Sequence, residues 1–149
     1  MAKKKPPKVH RADSTVEFRL LIERFEDPLA KRAGVVFLFR TSEEFRNFVY
    51  ELVVNSRREE NKIFFNIVGL RTPMSDFPRP GPAVCICEVE NLEPGEYTIV
   101  IDRRGKQVNQ FKISIKREIK VLRAAREGRF IDIITDRSQW SSHGEQTKC

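Results

Sequence analysis

The sequence predicts an all-β protein, a seven-stranded antiparallel sandwich that carries an additional hairpin near its C-terminal end. One observation is the recurrence of short segments in which apolar and polar side chains alternate, separated by turn-forming residues. A second is the Pro94-Gly95 pair, which makes a tight turn directly before one of these segments. A chain of 149 residues is long enough to bury about two thirds of its unfolded surface as one domain.

A motif in residues 91–101, NLEPGEYTIVI, narrows this prediction. A tyrosine just after a tight turn can bury its ring and return its hydroxyl to a backbone group a few residues upstream. The pattern of Leu92, Pro94, Gly95 and Tyr97 resembles the start of strand F in immunoglobulin-like and fibronectin type III domains, and similar turns occur in transthyretin-like modules. The resemblance implies an immunoglobulin-like sandwich with Tyr97 as its tyrosine corner.

The net charge of +7 is unevenly distributed. Residues 1–14 hold five basic side chains against one acidic one, whereas residues 15–116 hold 16 against 15 and residues 117–149 hold seven against five. We therefore predict a basic disordered leader over 1–14, the sandwich domain over 15–116, a C-terminal hairpin extension over 117–136 and a disordered tail over 137–149.

The first strands follow from periodicity. Residues 16–25 alternate apolar and polar side chains, which is typical of a strand buried on one face. Residues 26–34 form a turn in this interpretation. Residues 35–40 are apolar on both faces until Arg40, which predicts a central strand.

Residues 41–55 allow two interpretations. Phe45, Phe48, Val49 and Leu52 fall at helical spacing, but the same run also alternates and is rich in β-branched and aromatic residues. We favour a strand over 47–55, with 41–45 as the turn that leads into it. The reason is that a polar loop over 56–61 and a clear strand over 62–68 would complete a hairpin. A helix over 42–54 remains the alternative.

The proline-rich segment 70–82 is too long for an ordinary connection, and its four prolines exclude a central strand. Met74 and Phe77 are apolar within it. They either pin the segment to the edge of the sandwich or form a recognition surface.

The next strand, residues 83–90, carries two cysteines. Cys85 and Cys87 share one face and Glu88 and Glu90 share the other, so the cysteines should point inward. A closed zinc site needs about four ligands, and we therefore interpret them as buried free thiols and predict no metal site.

The last two sandwich strands are predicted over 96–102 and 108–116, joined by a hairpin turn at residues 102–106. Beyond them, 119–125 and 130–135 flank a polar turn and predict a further hairpin, with a short helix over 117–127 as the alternative. Such a hairpin would cover a sheet edge or pair with another chain.

Catalysis is not expected. The only histidines, His10 and His143, lie in the predicted leader and tail, and no metal-binding, phosphate-binding or nucleophile motif is present. We predict no catalytic residues and no cofactor.

Three functions remain. The first is a non-catalytic protein-binding or scaffold module, with Met74, Phe77, Arg103, Arg104 and Lys106 as candidate partner-binding residues. The second is non-specific nucleic-acid or polyanion binding through the leader and the basic turns. The third is a structural subunit that forms homo-oligomers by sheet-edge pairing. The absence of a signal sequence or membrane-spanning run, with three cysteines, favours a cytoplasmic protein without a membrane partner.

Overall fold

In the computed structural model, residues 16–45, 50–72, 81–125 and 128–139 are described, and they form one nine-stranded β-sheet. The strands are β1 (Phe18–Asp27), β2 (Arg32–Phe45), β3 (Glu51–Glu59), β4 (Lys62–Arg71), β5 (Gly81–Glu90), β6 (Gly95–Arg103), β7 (Gln107–Ile115), β8 (Ile119–Arg123) and β9 (Ile131–Ile134). A single turn of 3-10 helix, Arg137–Gln139, follows β9. In these ranges, no helix has the length and apolar composition needed to cross a membrane.

The sheet is mixed, so the predicted antiparallel immunoglobulin-like sandwich is wrong. The strand order is β8-β7-β6-β4-β3-β5-β2-β1-β9, with parallel pairs between β4 and β6, β3 and β5, and β1 and β9. Each of the seven predicted strands exists, but their neighbours differ from those of a sandwich. Alternation tells which face of a strand is buried, and it does not tell which strand lies beside it.

The sheet curls around one core until it is nearly barrel-shaped. The ring of Phe65 on β4 lies 5.0 Å from that of Phe37 and 4.9 Å from that of Phe39, both on β2. Because β3 and β5 separate β4 from β2 within the sheet, these contacts cross the interior. All three rings are almost fully buried, which places the centre of the core between these strands.

The parallel pair of β4 and β6 is stabilised by core side chains that lie level with one another on the two strands. Ile63 lies level with Ile99 and Phe65 with Ile101, so four fully buried side chains form adjacent rows on the inner face. β5 lies between β2 and β3, and β6 therefore takes the free edge of β4. Burial of these rows stabilises the pair by roughly 1.5–3 kcal/mol for each side chain.

The weakest junction of the sheet is between β3 and β5. Only Glu51 and Val84 are paired there, whereas β5 pairs along its whole length with β2. No ladder pair joins the two strands beyond Val84, where Cys85 and Cys87 follow on the inward face of β5. We call this the β3–β5 gap.

The segment before β3 corrects one sequence interpretation. Residues 41–45 are the end of β2, with a register irregularity between Arg40 and Glu44, and they are not a turn. The Thr41 hydroxyl donates to the Glu43 carbonyl at 2.8 Å and accepts from the Ala83 N–H at 2.9 Å, which holds this irregular end against β5. β3 itself confirms a strand over its described part, and residues 46–49 lie outside the described residues.

The predicted C-terminal hairpin is also wrong. β8 pairs antiparallel with β7 and β9 pairs parallel with β1, so the two strands lie at opposite ends of the sheet order. The helix alternative for 117–127 fails as well, because β8 occupies residues 119–123. The residues leading into β9 hydrogen-bond to Asn109 on β7, which brings the two ends of the sheet together.

The tyrosine corner is confirmed locally, although the surrounding fold differs. Tyr97 is 5% exposed, and its hydroxyl donates to the Glu93 carbonyl at 2.6 Å. The hairpin turn between β6 and β7 is also confirmed: the Lys106 N–H donates to the Arg103 carbonyl, and Arg104 and Gly105 have positive φ values of 54° and 73°.

Candidate functional site: the mouth of the curled sheet

A cavity of about 500 Å³ opens at one end of the curled sheet, and we call it the mouth cavity. The start of β1 and β3 and the ends of β2, β4 and β6 meet there. Its volume lies in the range of ligand-binding clefts, which often occupy the mouths of β-barrels. Apolar side chains form its floor (Val16, Phe18, Phe45, Leu52 and Ile67), and a mixed set forms its rim (Glu17, Ser42, Glu43, Leu70, Arg103 and Arg104).

The floor follows from strand alternation. Phe18, Leu52 and Ile67 point to the inner face of their strands and are 8%, 3% and 2% exposed. They belong to the main core, so the cavity ends on packed apolar side chains. Leu70 on the rim is 45% exposed and extends this apolar surface outward.

The two arginines of the rim differ in their electrostatic environment. The Arg103 guanidinium lies 2.8 Å from the Glu17 carboxylate and also donates to the Gln107 side chain at 3.1 Å. Arg104 makes no ion pair with any described residue. Its guanidinium extends over Gly69, where an added Cβ would lie 3.8 Å from Nη2. The rim therefore presents one neutralised and one available guanidinium.

The structure brings together only part of the predicted binding set. Arg103 and Arg104 line the mouth cavity, whereas Lys106 lies exposed in the same turn and does not line it. Met74 and Phe77 lie outside the described residues. Sequence reasoning missed Ser42, Glu43 and Leu70, because nothing in a linear pattern indicates that the ends of five strands converge.

Cys85 and Cys87 form a second notable cluster, beside the β3–β5 gap. Their sulfurs are 4.0 Å apart, and both side chains pack against the core but are only half-buried. The prediction that they point inward is confirmed, whereas the predicted burial is only partial. Among the described residues, β5 has no ladder partner on this side after Val84.

The pKa values of the two thiols are shifted in opposite directions. The hydrogen bond from Cys87 is the main reason that the pKa of Cys85 falls to about 7, with further contributions from the peptide N–H of Val54 and the positive charge of Arg71. The same hydrogen bond, together with burial, raises the pKa of Cys87 well above its usual value. Of the two thiols, Cys85 is therefore the one that deprotonates first.

Within the described ranges, no three His, Cys, Asp or Glu side chains are grouped closely enough to hold a metal ion. His10 and His143 lie outside those ranges. The prediction that the protein is not an enzyme is untested and stays a prediction.

Comparisons with models of known families, with curated protein sequences and with solved structures found no significant match.

Proposed function

We propose that this chain is a non-catalytic protein-binding module and that the mouth cavity is its binding site. The observation that supports this proposal is the combination of an apolar floor with the available guanidinium of Arg104 on the rim. The apolar cavity provides surface for a ligand to bury, and the unpaired cation beside it fixes the orientation of that ligand.

The partner that fits best is a protein segment that presents an apolar side chain next to a carboxylate. The apolar side chain would enter between Phe18, Leu52 and Ile67, and its burial contributes roughly 1.5–3 kcal/mol. The carboxylate would accept hydrogen bonds from Arg104, which a planar guanidinium can donate in pairs. The exposed Leu70 favours a protein segment over a fully enclosed small molecule, because it continues the apolar surface beyond the cavity.

The proposal can be tested with a library of displayed random peptides selected on the full-length protein. We expect enrichment of peptides with an aromatic or aliphatic residue flanked by Asp or Glu. Ser42→Trp places a large ring at the exposed rim, and Arg104→Glu reverses the available charge. Each should weaken the binding of selected peptides at least about tenfold in fluorescence anisotropy. Ser42→Trp blocks entry to the cavity, and Arg104→Glu removes a hydrogen bond to a charged group, which contributes roughly 1.5–3 kcal/mol.

Two matched controls separate the cavity from general surface effects. Ser56→Trp makes the same chemical change on an exposed part of β3, and Lys106→Glu reverses a charge in the same turn outside the cavity. Both should leave affinity unchanged. Equal binding by all four variants would contradict the proposal. If an aliphatic carboxylate binds in a manner blocked by Ser42→Trp while no peptide does, the ligand is a small molecule and the protein-partner proposal is wrong.

The two alternative functions and the cytoplasmic location stay predictions. The leader that would bind polyanions lies outside the described residues. A C-terminal hairpin is not available for oligomerisation, because β8 and β9 do not pair with each other; each is instead an edge strand of the described sheet.

A further inference from the structure

The spacing of Cys85 and Cys87 does not suit a disulfide. A disulfide requires sulfurs about 2.05 Å apart and Cβ atoms about 3.5–4.5 Å apart. Residues two apart in a strand are separated by about 6.7 Å along the chain, which is near the upper limit for bridged cysteines. Closing the bond would bend β5 away from β2, with which Cys85 and Cys87 are in register opposite Phe39 and Phe37.

The same spacing suits two sulfurs that share one metal ion. Bonds from Zn²⁺, a d¹⁰ ion, to thiolate sulfur are about 2.3 Å long, and two bonds of this length span up to about 4.6 Å between the sulfurs. The observed 4.0 Å lies within this reach without any movement of the backbone. Both cysteine residues keep some solvent exposure.

The surroundings favour negative sulfur at this position. The backbone of Val54 on β3 contributes to the lowered pKa of Cys85. Arg71 is paired with Glu51 at 2.6 Å, and its positive charge acts on Cys85 more strongly than the negative charge of Glu51 does. These contacts stabilise an anionic site that includes Cys85.

We propose that Cys85 and Cys87 together bind one Cu(I) ion as a two-thiolate site in the β3–β5 gap. No third His, Cys, Asp or Glu side chain groups with them among the described residues, whereas a closed zinc site needs four ligands. Thiolates select soft Cu(I), which accepts two of them. Binding releases to solvent the Cys87 proton and any proton still on Cys85, and two thiolates with one Cu(I) leave a single negative charge, which Arg71 partly offsets.

The test uses the reduced full-length protein under anaerobic conditions, with Cu(I) supplied as its coloured bicinchoninate complex. The wild-type protein should withdraw one equivalent of Cu(I) from the chelator. Cys85→Ser and Cys87→Ser should each weaken Cu(I) binding at least about 100-fold, since loss of a direct ligand costs no less than loss of its supporting contacts. Cys149→Ser is the matched control and should bind as the wild type does.

A second measurement needs no variant, which matters if a serine variant does not fold. One equivalent of Cu(I) should protect both Cys85 and Cys87 from N-ethylmaleimide and leave Cys149 labelled, as read by peptide mass spectrometry. Absence of Cu(I) uptake by the wild type, retention of Cu(I) by the Cys85→Ser/Cys87→Ser variant, or protection that requires Cys149 would each overturn the proposal.

Discussion

The side-chain amide of Asn109 on β7 pairs with the backbone on either side of Arg129, and its oxygen accepts the Phe130 N–H at 2.8 Å. Its nitrogen donates to the Gly128 carbonyl at 3.0 Å. One side chain thus makes the two hydrogen bonds that a neighbouring strand would make. The Phe130 carbonyl in turn accepts from the N–H groups of Glu17 and Phe18, so this contact joins β7 to the start of β1.

Asn109→Ala should destabilise the protein by about 1–3 kcal/mol, because the buried Phe130 N–H loses its acceptor and the more exposed Gly128 carbonyl loses its donor. Asn109 is only 1% exposed, so water does not replace it. The free energy of unfolding from chemical denaturation measures the effect, with Asn55→Ala on exposed β3 as the control, expected within about 0.5 kcal/mol of wild type.

Asn109→Asp adds a pH-dependent check. Burial raises the pKa of an Asp above its unfolded value, so the folded state binds the additional proton. The protonated acid can donate to Gly128 and accept from Phe130 as the amide does. The variant should therefore be less stable than wild type at neutral pH and should recover toward wild type as the pH falls toward 4; a constant difference at all pH values would contradict the paired geometry.

Tyr97→Phe should lower stability by about 1–3 kcal/mol, because the Glu93 carbonyl loses its donor while the ring is retained. Thermal and denaturant unfolding measure the change. An unchanged stability would show that the hydroxyl contact contributes nothing, even though the tyrosine corner forms.

Gly34→Ala should destabilise by about 1–3 kcal/mol or more, because a Cβ there would lie 2.1 Å from the Val89 carbonyl oxygen and 2.8 Å from the Glu90 Cα. Both are backbone atoms of β5, which cannot yield as a flexible side chain can. The neighbouring Ala33 is exposed, and Ala33→Ser should leave the free energy of unfolding unchanged. Equal stability of the two variants would mean that β2 and β5 can move apart at this point.

Cys85 should react faster with iodoacetamide than Cys87 in the metal-free protein. Its thiolate is populated above about pH 7, so the rate of alkylation should rise between pH 6 and 8 and then level off. Cys87 has a raised pKa and should remain slow. Site-resolved mass spectrometry separates the two, and a Cys85 rate that still climbs steeply above pH 8 would contradict the lowered pKa.

Deletion of residues 1–14 tests the origin of any polyanion binding. If the five basic residues of the leader contact duplex DNA, the slope of log K against log salt should be about −4 to −5, and deletion should abolish binding. We expect instead no measurable binding near physiological salt for either form, which fits a solubilising leader. Tight binding that is insensitive to salt would contradict both accounts.

The amino-acid sequence determined the local structure well. Alternation identified seven strands, and the turn chemistry of residues 94–97 and 102–106 predicted a tyrosine corner and a hairpin turn that the structure confirms. These features depend on residues close together in the chain. The inward direction of Cys85 and Cys87 also follows from alternation, because charged Glu88 and Glu90 need the solvent face.

The tertiary structure decided which strands are neighbours and where the site lies. The rows of Ile63 and Phe65 pack in register with those of Ile99 and Ile101, and this long-range match stabilises the parallel pair of β4 and β6. Asn109 attaches residues 128–130 to β7, so β9 reaches β1 and the predicted hairpin does not form. Neither choice has a local signal, since the free energy comes from contacts between residues far apart in sequence. The mouth cavity has the same origin: Phe18, Leu52 and Arg104 become neighbours only once the sheet has curled.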